Sequence, residues 1–453
     1  MNQSDINFLD LPNEMLLIIL KKLDNIDVLY SLFGINNKRL DILVQDGVFT
    51  NNLNFVTTSL ITDEKFDRFC TYILPRSHHC VKKLILEATS MERILLAGDY
   101  PNLTYLELFN FKQEKVFHYF AEYPSLSIND LPSNCYFSSS LTALCINMTH
   151  IDDCLSILDG RLKQLTTFIV QINCISDSPL ISRNMDELHS LKYFSLTCYE
   201  YFYNYDDVVV PLLRRMTHLE KLTLYLRVRN RSSFVNGTHL HNEILVHMPQ
   251  LHTFIFYIST ENNINESVHR ISNDDIQQTF THTRYARTGC MVNYLNTFKA
   301  ICHVFSLPFT FTRLNMITNQ FPTIIFDYVT HLHVFDVVSL KHEFFIRISR
   351  AFPMLQFFSL VNIMFQSWDV NEWQYDNNST FLQLLNILIL YHLTSRAHLP
   401  RLTELKVSYD QLKMVTMNFT RDATRRNCSK VKRLIVEEST VFSKDVYQYF
   451  PSL

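Results

Sequence analysis

Glycine is scarce in this sequence. The chain has six glycines in 453 residues, where average usage would give roughly thirty. Each of the six stands alone, far from any other glycine. Loops that cradle phosphate groups need clustered glycines, because backbone N–H groups must approach the ligand closely. The sequence therefore argues against the common nucleotide-binding loops, and no cofactor is expected.

An excess of positive charge is also missing. The chain carries 41 basic and 44 acidic residues, so no overall positive field would attract a nucleic acid. No apolar run approaches the roughly 20 residues of a membrane span, and residues 1–10 lack the features of a signal peptide. We expect a protein of the cytoplasm, the nucleus or both, with no nucleic-acid or membrane partner.

Catalytic and metal-binding motifs are lacking as well. Histidine pairs, each offering two metal ligands, occur at His78 and His79, His239 and His241, and His331 and His333. Zinc usually takes three or four protein ligands, so no metal is expected. The ten cysteines contain no Cys-x-x-Cys pair and are expected to be reduced thiols. Isolated Cys, His and Asp residues do not assemble into a triad on paper, so an enzyme is the weakest of three functional hypotheses.

Apolar residues, by contrast, are abundant: 47% of the chain is hydrophobic and 13% aromatic. Such a composition predicts an ordered interior. Because 453 residues exceed what one compact core usually supports, we expect several domains or one elongated repeat array.

The N-terminal residues predict three short helices over residues 9–44. Pro12 suits the first helical position, and Glu14 complements the helix dipole. Asp27 can cap a second helix, and Asn36–Asn37 precede a third. One apolar stripe recurs at helical spacing in the first helix, formed by Leu16, Ile19, Leu20 and Leu23. Because a unit this short rarely buries its apolar surface alone, the stripe predicts a binding partner.

This stretch resembles the F-box family. The matching positions are Leu11, Pro12, Glu14, Leu16, Ile19, Leu20, Leu23, Asp27, Val28, Leu29 and Leu32. The later Val-Cys-Arg-x-Trp element of the family is replaced by Ile35-Asn-Asn-Lys-Arg39, which puts Arg39 at the Trp position. The resemblance implies docking on a Skp-family adaptor. The residues implied for adaptor binding are Leu11, Pro12, Glu14, Leu16, Ile19, Leu20, Leu23, Val28 and Leu29.

From about residue 81 a phrase of the form Leu-x-x-aliphatic-x-aliphatic recurs to the C-terminus. Leu84 and Leu106 are 22 residues apart, and Phe168 and Phe194 are 26 apart, near the typical length of a leucine-rich repeat. Each phrase alternates like a half-buried strand, and helical segments precede several of them. We predict an α/β fold in which an irregular leucine-rich-repeat-like solenoid carries a parallel sheet on its concave side. The usual Asn or Cys ladder of that family is absent.

Three regions are therefore predicted. Residues 1–50 form the F-box, residues 51–80 a connecting helical segment, and residues 81–453 the array. An insertion is expected at about 259–300, because residues 259–287 are polar and aperiodic. Residues 302–308 are expected to form a degenerate strand that rejoins the array.

The resemblance implies a non-enzymatic substrate receptor of an SCF-type cullin-RING ubiquitin ligase, which brings a target protein close to a charged E2. The alternative is a ligase-independent scaffold for protein–protein interaction. Outward-facing residues of the strand phrases are the candidates for target binding, namely Tyr105, Phe109, Tyr193, Tyr225, Tyr257 and Phe357. If these side chains are buried, the polar segment 259–287 is the next candidate. The identity of the target is not encoded in any recognisable motif.

Overall fold

The computed structural model describes residues 8–56, 63–109, 140–148, 150–158, 162–172, 187–264, 270–281, 287–296, 298–336, 342–362, 401–408 and 432–437. The chain divides into two compact units. The first contains residues 1–226 and 242–253, and the second contains residues 227–241 and 254–453. The fold is α/β with mostly parallel strands, as the sequence predicts.

The N-terminal module, residues 8–50, consists of short helices. They are α1 (Asn13–Leu20), α2 (Asn25–Leu32), α3 (Lys38–Val44) and α4 (Gly47–Thr50). Pro12 occupies the N-cap position of α1, one residue before the first helical position predicted for it. The cap of α2 is Asp24, whose side chain accepts from the Ile26 N–H at 2.8 Å. Asp27, the residue predicted to cap α2, instead lies within its first turn.

A continuous helical segment follows the module. It comprises α5 (Asp63–Arg68), a π-helical turn (Phe69–Ile73) and α6 (Leu74–Ser77). Phe69 and Ile73 are fully buried. The Arg68 guanidinium donates to the Phe33 carbonyl at 2.7 Å and lies over the ring of Tyr30. Helical structure therefore covers most of the described part of the predicted connecting segment, residues 51–56 and 63–80, although residues 52–54 form a strand instead.

The first unit contains a sheet whose strands neighbour one another in chain order. They are β1 (Asn52–Asn54), β2 (Lys83–Glu87), β3 (Tyr105–Phe109), β4 (Ala143–Met148), β5 (Thr167–Ile172), β6 (Tyr193–Phe202) and β7 (Lys221–Arg229). All pairs from β1 to β6 are parallel. Along the chain, helices connect several of these strands. They are α7 (Ala88–Leu95) after β2, α8 (Ile151–Ile157) after β4 and α9 (Val210–Arg214) after β6.

Parallel register stacks the repeated phrases on one another. The residue at the fourth position of each phrase lies directly opposite its counterpart on the next strand, from β2 to β6. These residues are Leu84, Leu106, Leu144, Phe168 and Phe194. All five side chains are buried, so one face of the sheet carries the core of the unit. The alternate residues face the other way, as the period of two in a strand requires.

Threonines just before the strands form a hydrogen-bonded ladder. The Thr104 carbonyl accepts from the backbone N–H groups of Thr142 and Ala143, both at 3.0 Å, and from the Thr142 hydroxyl at 3.1 Å. The Thr142 carbonyl accepts in the same way from Thr166 and Thr167. This ladder gives the exposed Thr104 carbonyl and the partly buried Thr142 carbonyl hydrogen-bond partners within the protein. It lies at the second position of each phrase, ahead of the strand, whereas the missing Asn or Cys ladder would follow the strand.

The second unit begins with an antiparallel group in the order β8, β10, β9. The strands are β8 (Thr253–Asn263), β9 (Thr288–Asn296) and β10 (Lys299–Ser306), with helices α10 (Gly237–Glu243) and α11 (Asn273–Gln277). Residues 259–263 are expected to begin a polar insertion, but they continue strand β8. Ser259, Thr260 and Glu261 are buried there. Residues 302–306 belong to an antiparallel strand, which the repeat pattern does not predict.

A five-stranded parallel sheet completes the second unit. Its strands are β11 (Arg313–Ile317), β12 (His331–Asp336), β13 (Phe357–Asn362), β14 (Glu404–Ser408) and β15 (Arg433–Glu437), again in chain order. Helix α12 (His342–Ala351) lies between β12 and β13 along the chain. Leu332, Phe358 and Leu405 lie opposite one another and are buried. The predicted strand phrases near residues 332, 355, 402 and 431 therefore all lead into parallel strands.

Candidate binding surfaces

The buried side of α1 faces the rest of its own module. Leu16 is fully buried and packs with Leu40 and Leu43 of α3. Leu20 is buried too, and so are Val28 and Leu29 on α2. These four residues, expected to bind an adaptor, therefore form the interior of the module in this conformation. The reason is geometric, because residues four apart share one helix face, and here that face packs on a neighbouring helix.

The opposite side of α1 is apolar and open to solvent. Met15, Ile18 and Ile19 lie three and four residues apart, and all are exposed, with Ile18 58% exposed. Leu23, just beyond the helix, is exposed as well. We call these four residues the module surface. Of the residues expected to bind an adaptor, Ile19 and Leu23 belong to it, Pro12 and Glu14 are also exposed, and Leu11 is half-buried.

Arg39 fixes the segment that leads into α1. Its Nη1 donates to the Leu9 carbonyl at 2.7 Å, its Nε donates to Asn13 Oδ1 at 2.7 Å, and its Nη2 donates to the Leu11 carbonyl. One guanidinium thus holds three points of the chain, which its planar fork of donors suits well. In the sequence, Arg39 is notable only because it replaces the Trp of the F-box pattern, and this does not predict its hydrogen bonds. Its partners lie 26 to 30 residues away along the chain, so no local signal could identify them.

On the sheet of the first unit, the residues opposite the core form ordered rows. One row, which we call the tyrosine row, crosses the strands in register and is partly exposed: Lys83, Tyr105, Ala143, Thr167 and Tyr193. The row continues on β7 with its first residue, Lys221. The Lys221 N–H donates to the Lys192 carbonyl, just as the Tyr193 N–H donates to the Thr166 carbonyl one strand earlier. The next row contains Ile85, Glu107, Cys145, Ile169 and Ser195.

Tyr105 is held firmly on this face. Its hydroxyl donates to Glu107 Oε2 at 2.9 Å and lies 3.4 Å from Cys145 Sγ, while Lys83 Nζ is 4.2 Å from the ring centroid. Burial, together with these hydrogen bonds, raises the pKa of Tyr105. Burial also raises the pKa of the Cys145 thiol. Because the thiolate is the reactive form of cysteine, the raised pKa makes Cys145 a weaker nucleophile than an ordinary cysteine.

Three of the residues expected to bind a target cannot contribute to an exposed row. Tyr225 is fully buried against Tyr199, with ring centroids 5.0 Å apart. Tyr257 is also fully buried, and its hydroxyl lies 3.0 Å from His303 Nδ1. Phe357 is buried and stacks on His331.

The physical reason for the burial of Tyr225 and Tyr257 is that β7 and β8 are longer than the short strands predicted, and side chains cover both faces of each strand in the middle. Phe357 begins the shorter strand β13, where the neighbouring ring of His331 covers it. Tyr105 and Tyr193 remain partly exposed. The side chain of Phe109 lies outside the described residues.

Two histidines are neutral because they are buried. Burial lowers the pKa of His303 to about 3, and the positive charge of Arg227 acts in the same direction. Burial lowers the pKa of His331 to about 4, with a smaller effect of Arg313. In the part of the chain that the structure describes, no three or more metal-ligating side chains come together, and no helix is both long and apolar enough to cross a membrane.

No protein-family model matches the chain, and no curated protein is similar enough to count as a match. The family of this chain is therefore not established by comparison. What remains for assigning a function is the chemistry of the two surfaces described above, one apolar on α1 and one mixed on the sheet of the first unit.

Proposed function

We propose that this chain is the substrate-receptor subunit of an SCF-type cullin-RING ubiquitin ligase. The module binds a Skp-family adaptor, and the parallel strands that follow present a surface to a target protein. The observation that carries the proposal is the module surface, because exposed apolar residues at helical spacing coincide with a sequence motif that resembles the F-box. A contiguous apolar surface of this kind is typical of a protein-binding site.

The proposed activity requires no catalytic residue in this chain. Ubiquitin is transferred from an E2 thioester held elsewhere in the complex, and the receptor raises the effective concentration of target lysines near that thioester. The raised pKa of the Cys145 thiol is consistent with a receptor, since nothing about that group suggests activation. An F-box and leucine-rich-repeat interpretation of the fold belongs to the same proposal, supported by the short N-terminal helices and the parallel strands in chain order.

The burial pattern revises which residues would contact the adaptor. Contact is made by Met15, Ile18, Ile19 and Leu23, while Leu16 and Leu20 support them from inside the module. A few apolar anchors usually dominate such an interface, and truncation of one costs about 1 to 4 kcal/mol of binding. Arg39 contributes indirectly, because it fixes the segment from Leu9 to Asn13.

Co-purification with a recombinant Skp-family adaptor tests the proposal. Met15→Glu combined with Ile18→Glu places two charges on the module surface and should abolish adaptor binding, while the free energy of unfolding stays nearly unchanged. The matched control is Ile325→Glu, which alters an isoleucine of similar exposure, 62%, outside the module. The control should bind the adaptor as the unaltered chain does.

Two outcomes would contradict the proposal. If the unaltered chain does not bind the adaptor, the F-box interpretation fails and a ligase-independent scaffold becomes the better reading. If the double variant binds as well as the unaltered chain, the module surface is not the adaptor site.

A further inference from the structure

The tyrosine row on the first unit has a nearly symmetric composition. From β2 to β7 its residues are Lys83, Tyr105, Ala143, Thr167, Tyr193 and Lys221. Lysines therefore stand at both ends, tyrosines stand inside them, and two small residues occupy the centre. Small residues between two rings leave a shallow trough. Cys145 of the next row is buried and lies 3.4 Å from the Tyr105 hydroxyl, so the partly exposed Ala143, Thr167 and Ile169 form the floor, which is largely apolar.

The spacing of the strands sets the length of a ligand for this trough. Neighbouring strands lie about 4.8 Å apart, so Lys83 and Lys221, five strands apart, are separated by roughly 24 Å. An extended peptide advances about 3.4 Å per residue, so its first and seventh residues are roughly 20 Å apart. The flexible stems of the two lysines can span the small difference. A seven-residue extended segment therefore matches the row.

The charges at the ends of the row favour an anionic partner. Lys221 is exposed, and Lys83 is partly exposed with its ammonium over the ring of Tyr105. The Glu220 carboxylate is paired with the Lys192 ammonium at 2.9 Å, whereas Glu107 accepts only from the neutral Tyr105 hydroxyl, which does not cancel a carboxylate charge. Lys192 holds the Glu220 carboxylate in its charged form by lowering the pKa of that group. Both ends of the row therefore carry a lysine ammonium, and the attraction for an anionic ligand is stronger at Lys221, because Glu107 lies on the strand beside Lys83.

We propose that the tyrosine row binds an extended segment of a target protein that carries an acidic residue at each end and apolar residues between them. This inference rests on the proposed function, because it names the class of target that the receptor would capture. In an extended chain the odd-numbered residues of the segment point toward the sheet. Acidic side chains at positions one and seven then reach the lysines, and apolar side chains at positions three and five lie between the two tyrosines.

The test uses the full-length chain without any adaptor and a fluorescein-labelled peptide, Glu-Ser-Leu-Ser-Leu-Ser-Glu, in a fluorescence-anisotropy titration. Lys83→Glu with Lys221→Glu should weaken binding at least about tenfold, since like charges then face each other. Tyr193→Ala should also weaken binding, whereas Tyr193→Phe should not, because the ring rather than the hydroxyl lines the trough. Arg350→Glu, an exposed residue of α12, is the control for net charge and should leave binding unchanged.

Two peptide controls keep the inference open to refutation. The counterpart Lys-Ser-Leu-Ser-Leu-Ser-Lys should not bind the unaltered chain, and should bind the double glutamate variant better. If a hexa-aspartate peptide binds as tightly as Glu-Ser-Leu-Ser-Leu-Ser-Glu, the inference is overturned. The lysines would then attract any acidic peptide, whatever its spacing or apolar residues. Absence of binding by the acidic peptide would overturn it too. Because no adaptor is present, neither result depends on whether the chain joins a ligase.

Discussion

Replacing Leu16 by alanine should destabilise the N-terminal module strongly. Leu16 is fully buried and contacts Leu40 and Leu43, so the change removes three buried carbon groups from a packed interior. Each buried methylene is worth about 0.8 kcal/mol, and the cavity left behind adds to that loss. We therefore expect a decrease of about 2.5 to 4 kcal/mol in the free energy of unfolding.

Ile18→Ala is the matched comparison, only two positions along the same helix. Ile18 is 58% exposed, and exposed substitutions usually change stability by less than about 0.5 kcal/mol. The same change should remove about 1 to 3 kcal/mol of adaptor binding if the module surface is the binding site. The two variants thus separate the interior of the module from its binding surface.

Urea denaturation combined with hydrogen exchange of residues 8–50 measures the first effect, and a pull-down with recombinant adaptor measures the second. Leu16→Ala should accelerate exchange throughout the module, while Ile18→Ala should leave exchange as it was. The reasoning about helix faces is refuted if Leu16→Ala is as stable as the unaltered chain, or if Ile18→Ala destabilises the module by a similar amount.

Three further predictions concern hydrogen bonds and titration. Arg39→Ala should accelerate hydrogen exchange of the segment from Leu9 to Asn13, because three anchoring bonds are lost, and should weaken adaptor capture in the same pull-down. Thr142→Val keeps the side-chain shape but removes the hydroxyl bond to the Thr104 carbonyl, so urea denaturation should show a loss of about 0.5 to 1.5 kcal/mol. His303→Gln concerns pH. The folded-state pKa of His303 is about 3, below the ordinary 6.5, so between these values the unfolded chain binds one more proton and stability falls as pH falls. The glutamine variant should lose this one-proton dependence of about 1.4 kcal/mol per pH unit in urea titrations between pH 4 and 6.

Local pattern was enough to predict the class of the fold. Alternation within each repeated phrase marks a half-buried strand, and the successive strands that carry Leu84, Leu106, Leu144 and Phe168 pair in parallel with those residues in register. The start of α1 was also predictable, because proline tolerates only the beginning of a helix. Both predictions depend on interactions within a few residues, which a sequence displays directly.

The local pattern could not predict whether residues on the face of a strand opposite the core are buried or exposed. Tyr225 and Tyr257 point away from the core side of their strands, yet side chains close in the fold and distant in the sequence cover them, as His303 does for Tyr257. The same limit applies to Arg39, whose partners precede it by 26 to 30 residues. The Leu-Thr pairs that open several phrases did carry a signal for the threonine ladder, since a hydroxyl at that repeated position can bond to the preceding turn.

The polar composition of residues 270–281 has a structural explanation that bears on where a target binds. These residues lie along the outer edge of β9, where unpaired backbone groups would otherwise be open to other chains. Asn273 Oδ1 accepts from the Val292 N–H at 2.7 Å, Cys290 Sγ donates to the Asn273 carbonyl at 3.2 Å, and the Tyr294 hydroxyl donates to the Ile271 carbonyl at 3.0 Å.

A target that bound this polar segment by displacing it would have to break those three bonds and uncover a strand edge, at a cost of about 1 kcal/mol or more for each bond. Lys83, Tyr193 and Lys221, in contrast, can meet a ligand without moving any strand, because they already face outward from the sheet of the first unit. Burial removes Tyr225, Tyr257 and Phe357 from the candidates for target binding, and for the reasons above we favour the tyrosine row over residues 270–281 as the proposed target site.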